Sequence, residues 1–150
     1  MIPNEQKVRD FFSRYEALFQ NSLGDHPQVD VDAIVASFAD YFVESSPVGV
    51  HGGPNNEQFH EMIPQGYAFY RQIGTTRMKA GALDITSIND QHVMAKVHWI
   101  STFKKQDGST DTIEFDNVYF LTLASGEPKI FAYVTPDEQA ALREHGLIPE

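Results

Sequence analysis

HVMAKVHWISTF (residues 92–103) and TIEFDNVYFLTL (residues 112–123) decide the fold. Both alternate with a period of two over a dozen residues, the pattern of strands that show different faces to two environments. In the first, Val93, Ala95, Val97, Trp99 and Ser101 share one face, opposite His92, Met94, Lys96, His98 and Ile100. In the second, Ile113, Phe115, Asn117, Tyr119 and Leu121 share a face, opposite Glu114, Asp116, Val118 and Phe120. The more apolar rows are expected to meet the rest of the core. That places a single amide, Asn117, inside an apolar row. A buried amide without partners costs about 1–3 kcal/mol, so Asn117 must find a hydrogen-bond partner or a ligand. The opposite face mixes Met94, Ile100, Val118 and Phe120 with charges, which suits a subunit interface.

Two further strands flank this pair, over 76–88 and 129–135, and the connections carry turn residues: Asn89-Asp90, Gln106-Asp107-Gly108-Ser109 and Ser125-Gly126-Glu127-Pro128. Short connections between successive strands imply antiparallel pairing. Before residue 75 the period is helical. Val8, Phe11, Phe12, Tyr15, Leu18 and Phe19 fall on one stripe, with Asn4 as the cap. Asp30 caps a second helix with Ala33, Ile34, Phe38 and Ala39 on its inner side. Residues 41–46 read as a short strand, 49–54 as a glycine-rich loop, and 56–74 as a third helix that Pro64 should kink or split. Near the end, Thr135-Pro136-Asp137-Glu138 predicts a helix capped by Thr135 with Glu138 reaching back, and Gly146 stops it. Helices followed by strands make an α+β domain, with helices on one face of a curved sheet. The length of 150 residues suits one domain, and no linker or repeat divides it.

Composition narrows function. There is no cysteine, which excludes disulfides and thiolate chemistry. The net charge is −10, and between Arg14 and Arg71 there are eight carboxylates and no Lys or Arg. Nucleic acid and anionic membranes are therefore poor partners. No apolar run approaches a membrane span and the first residues do not form a secretory signal, which predicts a cytoplasmic protein.

Arg14-Tyr15, Phe38-Ala39-Asp40 followed by Ser46-Pro47-Val48-Gly49, Ala68-Phe69-Tyr70-Arg71-Gln72, and the strand with Asn117 resemble, in order and spacing, segments of the NTF2-like superfamily, above all its ketosteroid-isomerase and SnoaL-like branch. The resemblance spans roughly residues 8–135. It implies a cone: three helices and a short C-terminal helix around a curved, mainly antiparallel sheet, enclosing an apolar pocket, with dimerisation through the outer sheet face. It places Tyr15 where the isomerases keep the phenol that donates to an oxyanion, and Tyr70 where a second tyrosine bonds the first. A third tyrosine of that network is Phe38 here. The isomerases' protonated acid falls at Asn117, and their catalytic base at Ser46, whose hydroxyl cannot take a proton from carbon unaided. The expected pocket is lined by Phe19, Ser46, Tyr70, Trp99, Tyr119 and Val134. The candidate catalytic groups are Tyr15, Asn117 and His51, with Asp40 and Glu44 as substitute bases.

The six histidines are dispersed and form no HExxH pattern, so no metal site is expected. Gly52-Gly53-Pro54 has no lysine and is not a phosphate loop. Two readings stay open. One is a pocket protein for a small apolar molecule with a carbonyl or hydroxyl group, its chemistry, if any, free of cofactors: isomerisation, dehydration, cyclisation or epoxide hydrolysis. The other is a non-catalytic association module. Fold resemblance does not choose between them.

Overall fold

A computed structural model describes residues 2–149. Helices α1 (Glu5–Asn21) and α2 (Val31–Ala36) lead into a hairpin, β1 (Phe38–Ser46) and β2 (Gly49–Pro54). Helix α3 (Glu57–Gln72) precedes four strands, β3 (Thr75–Asn89), β4 (His92–Lys104), β5 (Thr110–Thr122) and β6 (Lys129–Val134), and the short α4 (Glu138–Glu144) follows. The strands form one open sheet in the order β2-β1-β6-β5-β4-β3. Every pair is antiparallel except β1–β6, which is parallel. Register shifts in β3 after Thr75, Ala80 and Ser87, and between Phe120 and Leu121, bend the sheet, as bulges do.

The predicted rows are the core rows. Val93, Ala95, Val97, Trp99, Ser101, Ile113, Tyr119 and Leu121 are buried, joined by Val8, Phe11 and Phe12 from α1. Helix α1 is also tied to the edge strand β3: Gln20 Oε1 accepts from Met78 N at 3.0 Å, Gln20 Nε2 donates to Thr76 O at 3.2 Å, and Glu16 accepts from Ala80 N. These bonds occupy backbone groups that an edge strand otherwise leaves open.

Five local expectations are corrected. Phe38 and Ala39 belong to β1, not α2. Ser37 closes the helix, its Oγ bonding Ala33 O at 3.1 Å, and Phe38 then pairs with Ile130 of β6. Residues 49–54 are strand β2: the Pro47-Val48 turn folds them back on β1, and hairpin pairing overrides the low strand propensity of glycine. Asn4 occupies the cap position of α1 with φ +65°, but its side chain does not cap and donates to Asp90 O instead. Pro64 does not divide α3; it is exposed, where water can satisfy the carbonyl left without its N–H partner. The cap of α4 is Asp137, which accepts from Ala140 N at 2.9 Å. Thr135 is held back in the sheet, its N–H bonded to Ser45 O, so the helix starts later and Glu138 is released from capping. Asp30 caps α2 as expected, accepting from Ala33 N.

One glycine is fixed by geometry. Gly74, between α3 and β3, has φ +95°, and a Cβ there would collide with Lys104 O. Its carbonyl accepts from Lys104 N, which anchors the start of β3.

Candidate functional site

The bent sheet, α1, α3 and α4 enclose a cavity of about 340 Å³. The inner rows of β4 and β5 supply Trp99, Ser101, Ile113, Phe115, Asn117 and Tyr119; α1 supplies Tyr15 and Phe19; β1 and β6 supply Glu44 and Tyr133. Helices α3 and α4 bring Tyr70, Glu138, Ala141 and Leu142. Tyr15, Phe19, Glu44, Tyr70 and Tyr133 also border a second cavity of similar size, which extends toward Phe42, His51, Phe59 and Tyr67.

One end of the main cavity is an ordered polar floor. Tyr119 is buried and its oxygen accepts from Trp99 Nε1 at 3.0 Å and from Asn117 Nδ2 at 3.2 Å. With its oxygen so engaged, the phenol has its proton left to offer. Burial pushes its pKa up to about 12, against the pull of the two bonds, so the proton stays on at neutral pH. Asn117 Oδ1 beside it is buried and has no partner, and neither has Ser101 Oγ, farther along β4 on the same cavity wall. Tyr15 stands against this floor, its ring 6.1 Å from that of Tyr119 and 6.3 Å from that of Trp99. Burial raises the pKa of Tyr15 well above the ordinary phenol value. Floor and phenol thus place the hydroxyls of Tyr119 and Tyr15 and the Asn117 amide on one cavity.

The other polar feature is a pair of tyrosine–carboxylate contacts. Tyr70 Oη donates to Glu138 Oε1 at 2.6 Å, and Tyr133 Oη donates to Glu44 Oε2 at 3.0 Å. Tyr133 and Glu44 face each other because β1 and β6 pair in parallel at that register. Removal from water raises the pKa of Glu138; the Tyr70 bond opposes this, and the negative charge of Glu44 adds to it. Burial likewise holds Tyr70 and Tyr133 in the protonated form.

Of the residues singled out in the sequence, Tyr15, Phe19, Tyr70, Trp99, Asn117 and Tyr119 line this one cavity. His51 is exposed on β2 and lines only the second cavity. Ser46, the last residue of β1, accepts from Val48 N in the hairpin turn and lines neither cavity. Val134 is 45% exposed and lines neither. Asp40 is exposed and outside both, whereas Glu44 borders both. The expected bond from Tyr70 to Tyr15 is not formed, because Glu138 takes the Tyr70 proton. Ser101, Glu114, Tyr133, Thr135, Asp137 and Glu138 are polar lining residues not singled out as site residues from the sequence. Ser101 carried a readable signal, a hydroxyl in an apolar row. Glu138 carried none, since its position depends on where α4 starts.

The NTF2-like protein family model (DUF6841) matches residues 4–138. A search of curated proteins gave no match. Among solved structures, an NTF2-like protein with a cystatin-like fold from Novosphingobium aromaticivorans superposes with a TM-score of 0.68 at 14% identity, covering 98% of this chain and 90% of that one. Aln2 from a Streptomyces species superposes with a TM-score of 0.65 at 16% identity, covering 96% and 99%. A candidate calcium/calmodulin dependent protein kinase II association domain from Xanthomonas campestris superposes with a TM-score of 0.62 at 10% identity, covering 87% and 85%. At such identities these structures share the fold and nothing finer. Among the described residues no helix is long and apolar enough to cross a membrane. With a family model that spans most of the chain and an open curved sheet wrapped by helices, this protein belongs to the NTF2-like family.

Proposed function

We propose that this protein binds a small, largely apolar molecule in the main cavity and holds its carbonyl or hydroxyl oxygen on the floor built by Tyr15, Asn117 and Tyr119. The observation that carries this reading is the floor itself. Asn117 Oδ1 is buried without a partner next to Tyr119, whose proton is uncommitted, and Ser101 Oγ elsewhere on the same cavity wall is also unmatched. Native structures rarely leave such groups unmatched, and a ligand would match them. The reading places the protein with the SnoaL-like and ketosteroid-isomerase-like members of its family in pocket design, without their base at Ser46.

The chemistry within reach is cofactor-free proton transfer. Tyr15 and Tyr119 can donate to an enolate or alkoxide oxygen, and Glu44 or Glu138 can receive the proton. His51 lies too far out on β2 to serve the main cavity and is assigned to the second one. Thermal melting against a panel of polycyclic ketones and alcohols tests the binding claim. A ligand must raise the melting temperature by mass action. Tyr15→Phe and Asn117→Ala should each remove most of the shift. Unchanged shifts in both variants would take these residues out of the site.

A second reading rests on the outer sheet face, where Met94, Ile100, Val118 and Phe120 are only partly covered and Phe131 packs on Phe120 at 6.3 Å. That face suits a homodimer interface. Sedimentation of the free protein tests it, and a monomer at micromolar concentration would remove it.

A further inference from the structure

We propose that the molecule held in the main cavity carries a protonated amine, seated between the carboxylates of Glu44 and Glu138 and against the faces of the surrounding aromatic rings. This rests on the cavity being a ligand site, and narrows the ligand's class. Four observations support it. First, Glu44 and Glu138 have only phenols as side-chain partners, Tyr133 and Tyr70, and neither joins an ion pair among the described residues. Glu44 is half-buried and Glu138 exposed, and the negative charge of Glu44 acts on Glu138, so two such carboxylates on one cavity wall repel unless a proton or a cation compensates them.

Second, no Lys, Arg or His lines the main cavity. The stretch 15–70, which supplies Tyr15, Phe19, Glu44 and Tyr70, contains no Lys or Arg at all. Anionic ligands therefore meet no positively charged side chain there. Third, the aromatic rings of Tyr15, Phe19, Tyr70, Trp99 and Tyr133 surround the same space. A cation over such faces is attracted by the ring quadrupoles, and more strongly where water is excluded. An organic ammonium fits this lining better than a hard metal ion, which demands six or more oxygen ligands. Fourth, Ser101, only 1% exposed, lines the same cavity and its Oγ has no hydrogen-bond partner. Ser101 on one part of the wall, and Asn117 with the Tyr119 proton on another, offer polar contacts to the ligand's other end. The class is thus an amine with an apolar body and a hydroxyl or carbonyl at some distance from the nitrogen.

The test uses two matched series: tryptamine, tryptophol and indoleacetate; phenylbutylamine, phenylbutanol and phenylbutyrate. Calorimetric titration of the wild-type protein should show each amine binding about tenfold or more tightly than its alcohol, and the acids not at all. Glu44→Gln and Glu138→Gln, checked for folding by circular dichroism, should each weaken amine binding about tenfold and leave the alcohols within about twofold. Alcohols that bind as well as the amines, or amine affinities indifferent to both substitutions, would overturn the proposal and leave the cavity reading standing. Binding of none of the six would overturn both.

Discussion

Tyr119→Phe removes one oxygen and leaves two donors without an acceptor. Trp99 Nε1 is buried and has no other partner, and Asn117 Nδ2 is half-buried with none other. A buried donor stripped of its bond costs about 1–3 kcal/mol. The phenylalanine ring fills the same space and no longer buries a hydroxyl, which returns a fraction of that cost. The expected destabilisation is about 2–4 kcal/mol, or roughly 5–15 °C in melting temperature for a chain of this length. Urea unfolding followed by far-ultraviolet circular dichroism measures it, with an unchanged m-value as the check that only stability has moved. A cycle with Asn117→Ala should show coupling of about 1 kcal/mol, because the single variants break the same bond. A loss below about 0.5 kcal/mol for Tyr119→Phe would refute the claim that this phenol organises the cavity floor.

Other perturbations follow from the same coordinates. Gly74→Ala meets both a left-handed backbone and the carbonyl of Lys104 in the path of its new Cβ, so it should cost more than about 2 kcal/mol by the same urea assay. On the outer sheet face His98 lies 2.8 Å from both Glu114 and Asp116. Its bonds to these two carboxylates raise its pKa above 6.5, and its bond to Asp116 lowers the aspartate below 3.8. The histidine's contribution to stability is full below 6.5 and fades as pH rises through the raised value. The aspartate's is full above 3.8 and fades as pH falls through the lowered one. Stability measured against pH should thus lose its slope in the window above pH 6.5 when His98 is replaced by Gln. Five phenols, Tyr119 buried and Tyr15, Tyr67, Tyr70 and Tyr133 half-buried, hold their protons beyond pH 10. Their stabilising contribution is present below pH 10 and is lost as pH rises through the raised values. Alkaline titration followed by phenolate absorption should show them ionising only with unfolding. Reversible ionisation of these groups in the folded protein at about pH 10, the ordinary phenol value, would contradict their burial.

The long elements were legible because burial writes a period into them. The inner rows of β4 and β5, including the odd amide at Asn117, are the rows that pack, and the stripe from Val8 to Phe12 is the buried edge of α1. The resemblance to NTF2-like proteins was carried by the same segments. Pairing decisions were less legible, because they lie outside any local window. Gly49–Pro54 forms a strand only through β1, and Phe38 leaves the helical pattern only because Ile130 offers a parallel partner. The cavity was half legible. Periodicity put Tyr15, Asn117, Trp99 and Tyr119 on inward rows, and the resemblance to the isomerases marked Tyr15 and Asn117 as pocket groups. Glu138 does not, since the ladder bond from Thr135 N to Ser45 O moves the start of α4 and sends its carboxylate to Tyr70 instead of to a capping role. The Ser46 alignment placed interest two residues too far along β1, where Glu44 is the side chain that borders the cavity.

Trp99 is the single tryptophan of the chain, 2% exposed, in the cavity wall with its indole N–H bonded to Tyr119. Its emission therefore reports on the cavity without labels. Titration with the amine and ketone panels should change that emission saturably, with midpoints equal to the calorimetric Kd and abolished by Asn117→Ala. Emission that stays flat while a ligand demonstrably binds would place the binding site elsewhere and contradict the assignment of this cavity.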